Sequence, residues 1–454
     1  LIVVVVAVSW DKMEVKFKIP NILESAIGFI DRIDIWHLVL FGAIIRFFVM
    51  PFPNDGGMIF DEVHYIKATR AMLEGLGANS EHPPLVKIIG VVAIKLFGDH
   101  WFAWRFPIVM FSVWLPLLVY KLSLRLFNDK RKAIFSALFS MFDIILFIHG
   151  NIYMLEIPAM VFSLLFVLWY LEKKPAKASL AISLGFLCNE KALWVLLGVA
   201  IYHILENFKL KNLIIDAKPV AVFLSLCVLF GGGGLFISDL IWRPSSQANL
   251  SVQVIETVYQ NQTGPFTTST ATTTSTSLKY IYDPFSHVWH MFTYFTGIST
   301  GIPQIETTWR PPWSWVGPFG PNWSNPPTYL TTVVSFGDKK DYIINYRAQS
   351  TYPIWWMTLP ILGLALLKRK ETESKFFLGT LAGTYISWVA WELPRRYIPF
   401  NHYMMFAIPF LCLGIPWFWS KTLPKYQNQI MMVQLLLTIA MFIYFFPIGL
   451  VRTF

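Results

Sequence analysis

The chain of 454 residues is 55% hydrophobic and 17% aromatic but only 14% charged, with a mean hydropathy of +0.52. Soluble domains carry about 25% charged residues, so a water-soluble globule is excluded and a bilayer is the expected solvent. The net charge of +10 comes from short Lys/Arg clusters between apolar stretches, which is the positive-inside pattern; no basic helix or aromatic-basic platform points to nucleic acid.

Leu1–Val8 is apolar but too short to span, as for a trimmed segment or a fragment boundary, and residues 1–34 read as a cytoplasmic N-terminal segment holding Lys12, Lys16, Lys18 and Arg32. A first span is expected over 35–51. The outer loop 52–100 follows, with Asp55, Asp61, Glu62, Glu74 and Glu81, and a second span at 101–122 returns to Arg125, Lys130, Arg131 and Lys132. Spans at 133–149 and 152–171 form a hairpin with His149-Gly150-Asn151 as its outer turn, ending at Lys173, Lys174 and Lys177. The stretches 178–189 and 191–207 read as a broken hairpin about Asn189, Glu190 and Lys191, or as one tilted helix. A span at 219–240 closes a transmembrane core of 35–240.

A large non-cytoplasmic loop, 241–350, carries a Thr-rich run from Thr267 to Ser277 and Asn-X-Ser/Thr sequons at Asn249, Asn261 and Asn322. Its Trp- and Pro-rich stretch 309–327 suits a rigid segment at the membrane interface. The C-terminal region 351–454 adds spans at 353–367, 376–392, 400–419 and 430–449. The expected fold is an all-α polytopic membrane protein of about eleven transmembrane helices, N-terminus inside and C-terminus outside, with interfacial helices in the outer loops. Cys188, Cys227 and Cys412 lie in apolar stretches and form neither a disulfide framework nor a metal-ligand spacing.

Ionisable groups near spans are costly unless they face a cavity. Asp61-Glu62 is either an acidic helix start favoured by the macrodipole or a working pair, in which one carboxylate takes a proton from an acceptor hydroxyl and the other orients a neighbour. His82-Pro83-Pro84-Leu85-Val86-Lys87 starts a new helix and fixes His82 beside it. Arg105, Lys191, Arg395 and Arg396 are cations at outer ends of spans, where the positive-inside rule makes them scarce; they either bind a lipid phosphate or snorkel to headgroups. Glu156 can pair with one of them, Arg46 in the first span is ambiguous, and no metal is assigned.

Phe60-Asp61-Glu62-Val63-His64-Tyr65 followed by His82-Pro83-Pro84-Leu85-Val86-Lys87 resembles the protein O-mannosyltransferase family of the GT-C glycosyltransferase superfamily. Trp104-Arg105-Phe106-Pro107, Tyr153 through Glu156 to Pro158, Gly185 to Lys191, and Arg396 through His402-Tyr403 to Phe410 follow in the family's order, so the resemblance covers roughly 35–420. Val86 stands where the family has Gly, and 241–350 takes the place of the eukaryotic MIR domain, as in prokaryotic members.

The resemblance implies the GT-C fold and an inverting transfer of a sugar, mannose above all, from dolichyl- or polyprenyl-phosphate to Ser/Thr of a polypeptide acceptor. It implies a multi-pass protein in a prokaryotic plasma membrane, an active site facing outside, and no required cofactor. Asp61 would be the general base, with Glu62 also catalytic; His64, Tyr65, His82 and Glu156 would shape the acceptor site. Arg105, Lys191, Arg395 and Arg396 would hold the donor phosphate, and Pro83, Pro84 and Lys87 would form the interfacial motif. A related branch that transfers aminoarabinose to a lipid stays open, as does a non-catalytic transporter, although a transporter predicts charges near the bilayer midplane.

Overall fold

The computed structural model describes residues 21–53, 57–207, 217–243, 284–301, 312–316, 328–335, 341–347, 349–392 and 401–450. Expectations placed on Lys12 to Lys18, Asp55, the three sequons, the Thr-rich run, most of 309–327, and Arg395-Arg396 lie outside the described residues.

The N-terminal half comprises α1 (Asn21–Arg32), α2 (Ile35–Val49), α3 (Glu62–Leu73), α4 (Leu85–Phe97), α5 (Trp101–Phe127), α6 (Lys130–Met141), α7 (Ile144–His149), α8 (Glu156–Leu171), α9 (Pro175–Cys188) and α10 (Ala192–Asn207). Then come α11 (Ala217–Cys227), a π turn at Val228–Gly232, α12 (Gly233–Trp242), α13 (Pro284–Gly301) and α14 (Pro312–Trp315). The C-terminal part holds α15 (Tyr352–Trp355), α16 (Thr358–Leu367), α17 (Thr372–Leu381), α18 (Ser387–Glu392), a 3-10 turn at Asn401–Ala407, α19 (Ile408–Thr422) and α20 (Gln427–Tyr444).

Every span read from the sequence that falls on the described residues folds mainly as helix. Among the described residues, four helical runs are long and apolar enough by themselves to cross a membrane: Trp101–Phe127, Pro219–Trp242, Asn401–Thr422 and Gln427–Tyr444. Five shorter apolar helical stretches accompany them. Helix starts are set by short polar side chains: Asp34 accepts from the Trp36 amide, Asp129 from Lys132 and Asp143 from Leu146. The stretch 178–207 is two helices, because Asn189 is extended (φ −159, ψ 132) and its Oδ1 accepts from the Lys191 amide.

The most apolar window of Asn401–Thr422 is 83% buried and that of Pro219–Trp242 only 11%, so the first lies inside the bundle and the second lines its lipid-facing side. Lipid gives helices no hydrophobic reason to associate, so close backbone packing must do it. Gly198 and Gly383 show this: a Cβ at Gly383 would meet the Gly198 backbone at 2.3 Å.

A three-stranded antiparallel sheet supplements the helical body, in the order β1 (Thr328–Ser335), β2 (Asp341–Arg347), β3 (Ile448–Leu450). Thr332 pairs with Ile344, and Ile344 with Ile448. The register slips between Thr328 and Leu330, which makes Tyr329 a bulge residue. Bulges re-aim side chains, and this one reaches the site described next.

Candidate active site

The site forms where the loop after α2 enters α3. At that entry Phe60 adopts φ +52, a left-handed conformation that bulky residues rarely hold. The next two residues are adjacent carboxylates at a helix start, set apart by about 100° of helical turn, and they meet different surroundings.

Glu62 is fully buried on Arg105, with Nη2–Oε2 at 2.7 Å and both side chains 0% exposed. Its oxygens also accept from the amides of Ile59 (2.8 Å) and Tyr153 (2.7 Å). Arg105 spends its remaining donors on the carbonyls of Met50, Phe52 and Gly57 at 3.0–3.2 Å. A guanidinium has five N–H donors, and all five are engaged here: Nε and one Nη2 on Glu62, the rest on carbonyls. The pair therefore fastens the loop 50–62 to α5 and to the segment before α8. A guanidinium so engaged has no donor for a phosphate, so the donor-phosphate role expected for Arg105 gives way to a structural one. Glu62 likewise acts by holding its neighbour in place.

Asp61 differs. Its side chain makes no cap bond and has no hydrogen-bond partner among the described residues. Burial, then the charge of Glu156, push its pKa up to about 6, against His64, His82 and Lys191. A carboxylate with no bonded partner among the described residues and poised near neutral pH has the properties of a general base.

Of the other expected residues, His64 is exposed one turn into α3, and Tyr65 is buried with its ring edge-on to His82 at 5.8 Å. His82 Nδ1 lies 3.3 Å from Glu190 Oε2. Burial opposes protonation of His82, but Glu190 outweighs it and the pKa rises; Glu190 falls, because His82 and Lys191 outweigh its own burial. Pro83 and Pro84 are buried at the entry to α4. Lys87 turns back to donate to the carbonyls of Asn79 (2.5 Å) and His82 (2.9 Å), tying down the His82 loop; burial lowers its pKa to about 8. Lys191 Nζ lies 2.9 Å from Glu156 Oε1 and 4.6 Å from the centre of the Tyr403 ring. Asp61, His82, Glu156 and Lys191 thus come together, whereas Arg105 sits in the fastening behind them.

Sequence reasoning missed several members. His149-Gly150-Asn151, expected as an exposed outer turn, is buried, because the following Tyr153 amide is held by Glu62 and the Tyr153 hydroxyl reaches the Val86 carbonyl (2.9 Å). The bulged Tyr329 stacks on Phe60 (centroids 4.1 Å apart, planes 17°), and its hydroxyl lies between His149 Nε2 (2.9 Å) and His402 Nδ1 (3.0 Å). Nothing in the sequence around Tyr329 signals this; for His149, a histidine beside Gly and Asn at a span end was the only cue. Among the described residues no group of three or more His, Cys, Asp or Glu could hold a metal ion.

Its apolar helices make the chain a polytopic membrane protein, with the candidate site at the entry to α3. Residues 81–230, about a third of the chain, match the family model described as dolichyl-phosphate-mannose-protein mannosyltransferase, in line with the resemblance read from the sequence over that stretch; the match contains His82, Arg105, Glu156 and Lys191 and begins after Asp61. The S. cerevisiae protein O-mannosyltransferase Pmt1-Pmt2 complex, bound to the sugar donor, is similar at 12% identity with a TM-score of 0.63, covering 97% of this chain and 91% of that one. ArnT from Cupriavidus metallidurans is similar in its apo state (15% identity, TM-score 0.45, 88% of this chain). Its undecaprenyl phosphate complex is also similar (15%, 0.44, 85%). This chain spans 62% of the length of ArnT. No curated protein sequence matches.

Proposed function

We propose that the chain transfers a sugar from a polyprenyl- or dolichyl-phosphate carrier to a hydroxyl acceptor on the non-cytoplasmic side, with mannose as the sugar and Ser/Thr side chains of polypeptides as acceptors. The observation that carries this reading is Asp61: a carboxylate with no bonded partner among the described residues, its pKa raised to about 6, held by the Glu62–Arg105 fastening. The match over 81–230 supports the choice of mannose, of the lipid-phosphate donor and of a protein acceptor. The same resemblance and the positive-inside pattern support a plasma membrane and an outward-facing site.

In the proposed step the acceptor oxygen forms a bond to the anomeric carbon on the face opposite the carrier phosphate. The proton of the acceptor hydroxyl passes to Asp61. The bond from the anomeric carbon to the phosphate oxygen breaks, its electron pair leaves with the phosphate, and the configuration inverts. Lys191 neutralises the leaving phosphate, a role the resemblance also implies for Arg395 and Arg396, and a phosphate so neutralised leaves readily without further activation. His82, held by Glu190, borders the acceptor side with Tyr65 and His64.

The test uses the full chain in nanodiscs with polyprenyl-phosphate mannose and a Thr-rich peptide. Asp61→Asn is expected to abolish transfer while donor binding persists. Undiminished transfer by that variant removes Asp61 as the base. Absence of transfer by the wild type from several polyprenyl-phosphate sugars overturns the enzyme reading.

A further inference from the structure

Buried polar atoms are almost always hydrogen-bonded, and each exception calls for an explanation such as a missing ligand or water. Beside Asp61, two exceptions lie close together. His149 Nδ1 and Glu156 Oε2 are buried with no hydrogen-bond partner among the described residues. His149 and Glu156 are 0% and 2% exposed. They are linked by a short chain of contacts. His149 lies 5.1 Å from His402 between ring centres, His402 lies 4.7 Å from Tyr403, Tyr403 lies under Lys191 at 4.6 Å, and Lys191 bonds Glu156 at 2.9 Å.

The chemistry of the two atoms restricts what fits between them. Glu156 Oε2 only accepts hydrogen bonds and repels an anion, which excludes the donor's phosphate from that spot. His149 Nδ1 is either donor or acceptor, depending on which way the single Tyr329 hydroxyl proton points between His149 and His402. A hydroxyl that gives its proton to the carboxylate can still accept from the imidazole, and two neighbouring hydroxyls satisfy both atoms in either tautomer. Aromatic rings flank the same space: Tyr329 stacked on Phe60, and Tyr403 beside His402. Vicinal hydroxyls on a ring with apolar C–H faces match both features.

We infer that His149 and Glu156, with Tyr329 and His402 setting the His149 tautomer, form the subsite for the sugar-ring hydroxyls of the donor, distinct from the cations that take its phosphate. This deepens the proposed function and rests on it. The subsite has a consequence for Lys191. Its partner Glu156 binds sugar through the oxygen that Lys191 does not use, so sugar and phosphate are held by the two ends of one ion pair. Bringing the two parts of the donor together in this way fixes the anomeric carbon beside Asp61.

The experiment compares the affinities of the full chain in nanodiscs for polyprenyl-phosphate mannose and for bare polyprenyl phosphate. The wild type is expected to prefer the sugar-bearing lipid. His149→Phe, which keeps ring volume and removes the nitrogens, should cut that preference about tenfold, the worth of one hydrogen bond, and leave bare-lipid binding nearly unchanged. Glu156→Gln should also cut the preference, while binding of bare lipid holds or tightens because a negative charge has gone; it decides the matter if His149→Phe does not fold. An unchanged preference in these variants, or equal losses for both lipids, overturns the subsite. So does a wild type that binds both lipids equally, which means that the orphaned atoms hold only water. A wild type that binds neither lipid refutes the underlying donor reading instead.

Discussion

Replacing Arg105 tests whether it is a fastening or a phosphate ligand. Arg105→Met leaves the Glu62 carboxylate buried with only the Ile59 and Tyr153 amides, and strips donors from three carbonyls. Breaking a buried ion pair from one side costs about 3–5 kcal/mol, most of it for the uncompensated charge left behind. Glu62→Gln in the same background removes that charge; the Ile59 and Tyr153 amides bond different oxygens of Glu62, so the glutamine carbonyl still accepts from one of them. The double variant is therefore expected to recover at least about 1 kcal/mol of the loss, a coupling that residues in direct contact show in double-mutant cycles. Unfolding in detergent, followed by tryptophan fluorescence, measures the cycle; affinity for bare polyprenyl phosphate is read on the same four proteins. If Arg105 only fastens the loop, the double variant is folded and its lipid-phosphate affinity stays within about threefold of the wild type. Strict additivity of the two stability losses, or a tenfold loss of phosphate affinity in a folded double variant, refutes the reasoning.

Four further outcomes are expected. The acid limb of the transfer rate at saturating donor should have its midpoint at about pH 6, because the Asp61 base form appears as pH rises through that value; Glu156→Gln should move the limb lower, since Glu156 raises Asp61 and its loss frees the charge of Lys191. The same shift makes Asp61 a stability cost that develops between pH 3.8 and about 6 and is complete above, so Asp61→Asn should be about 3 kcal/mol more stable than wild type at pH 7.5 in urea unfolding, and a less stable variant would contradict this. Glu190 keeps His82 protonated above its ordinary range, a contribution present below pH 6.5 and lost as pH rises through the folded value; Glu190→Gln should flatten the melting-temperature profile over that window. Gly90→Ala puts a Cβ into the Tyr153 hydroxyl and should destabilise by about 1–3 kcal/mol, with partial recovery in Gly90→Ala/Tyr153→Phe.

The membrane body was legible because span length and basic clusters are set by the bilayer, which acts on every stretch of about 20 residues alone. The break at Asn189 was legible for a similar local reason, an Asn-Glu-Lys interruption of an apolar run. The sheet was not: Thr328–Ser335 is rich in Thr and Val, a strand composition, but it lies in a loop whose Thr content had been read as low complexity. The burial of His149 was hidden for the opposite reason. A polar turn is read as exposed unless its partners are known, and here they come from Tyr329 and His402, far along the chain.

Asp61-Glu62 shows where such reading stops. Adjacent acids look equivalent in a sequence, and pattern alone could only suggest that their roles differ. What separates them is Arg105: its five donors close on Glu62 and three carbonyls, so one acid is satisfied completely and its neighbour is held beside it with no bonded partner among the described residues. A base must be both fixed in position and free to take a proton, and one carboxylate cannot easily be both, because the hydrogen bonds that would fix it also lower its pKa. Dividing the two requirements between consecutive residues resolves the conflict. Glu62 takes the bonds, Asp61 takes the position, and the strained Phe60 before them is held by its stack on Tyr329.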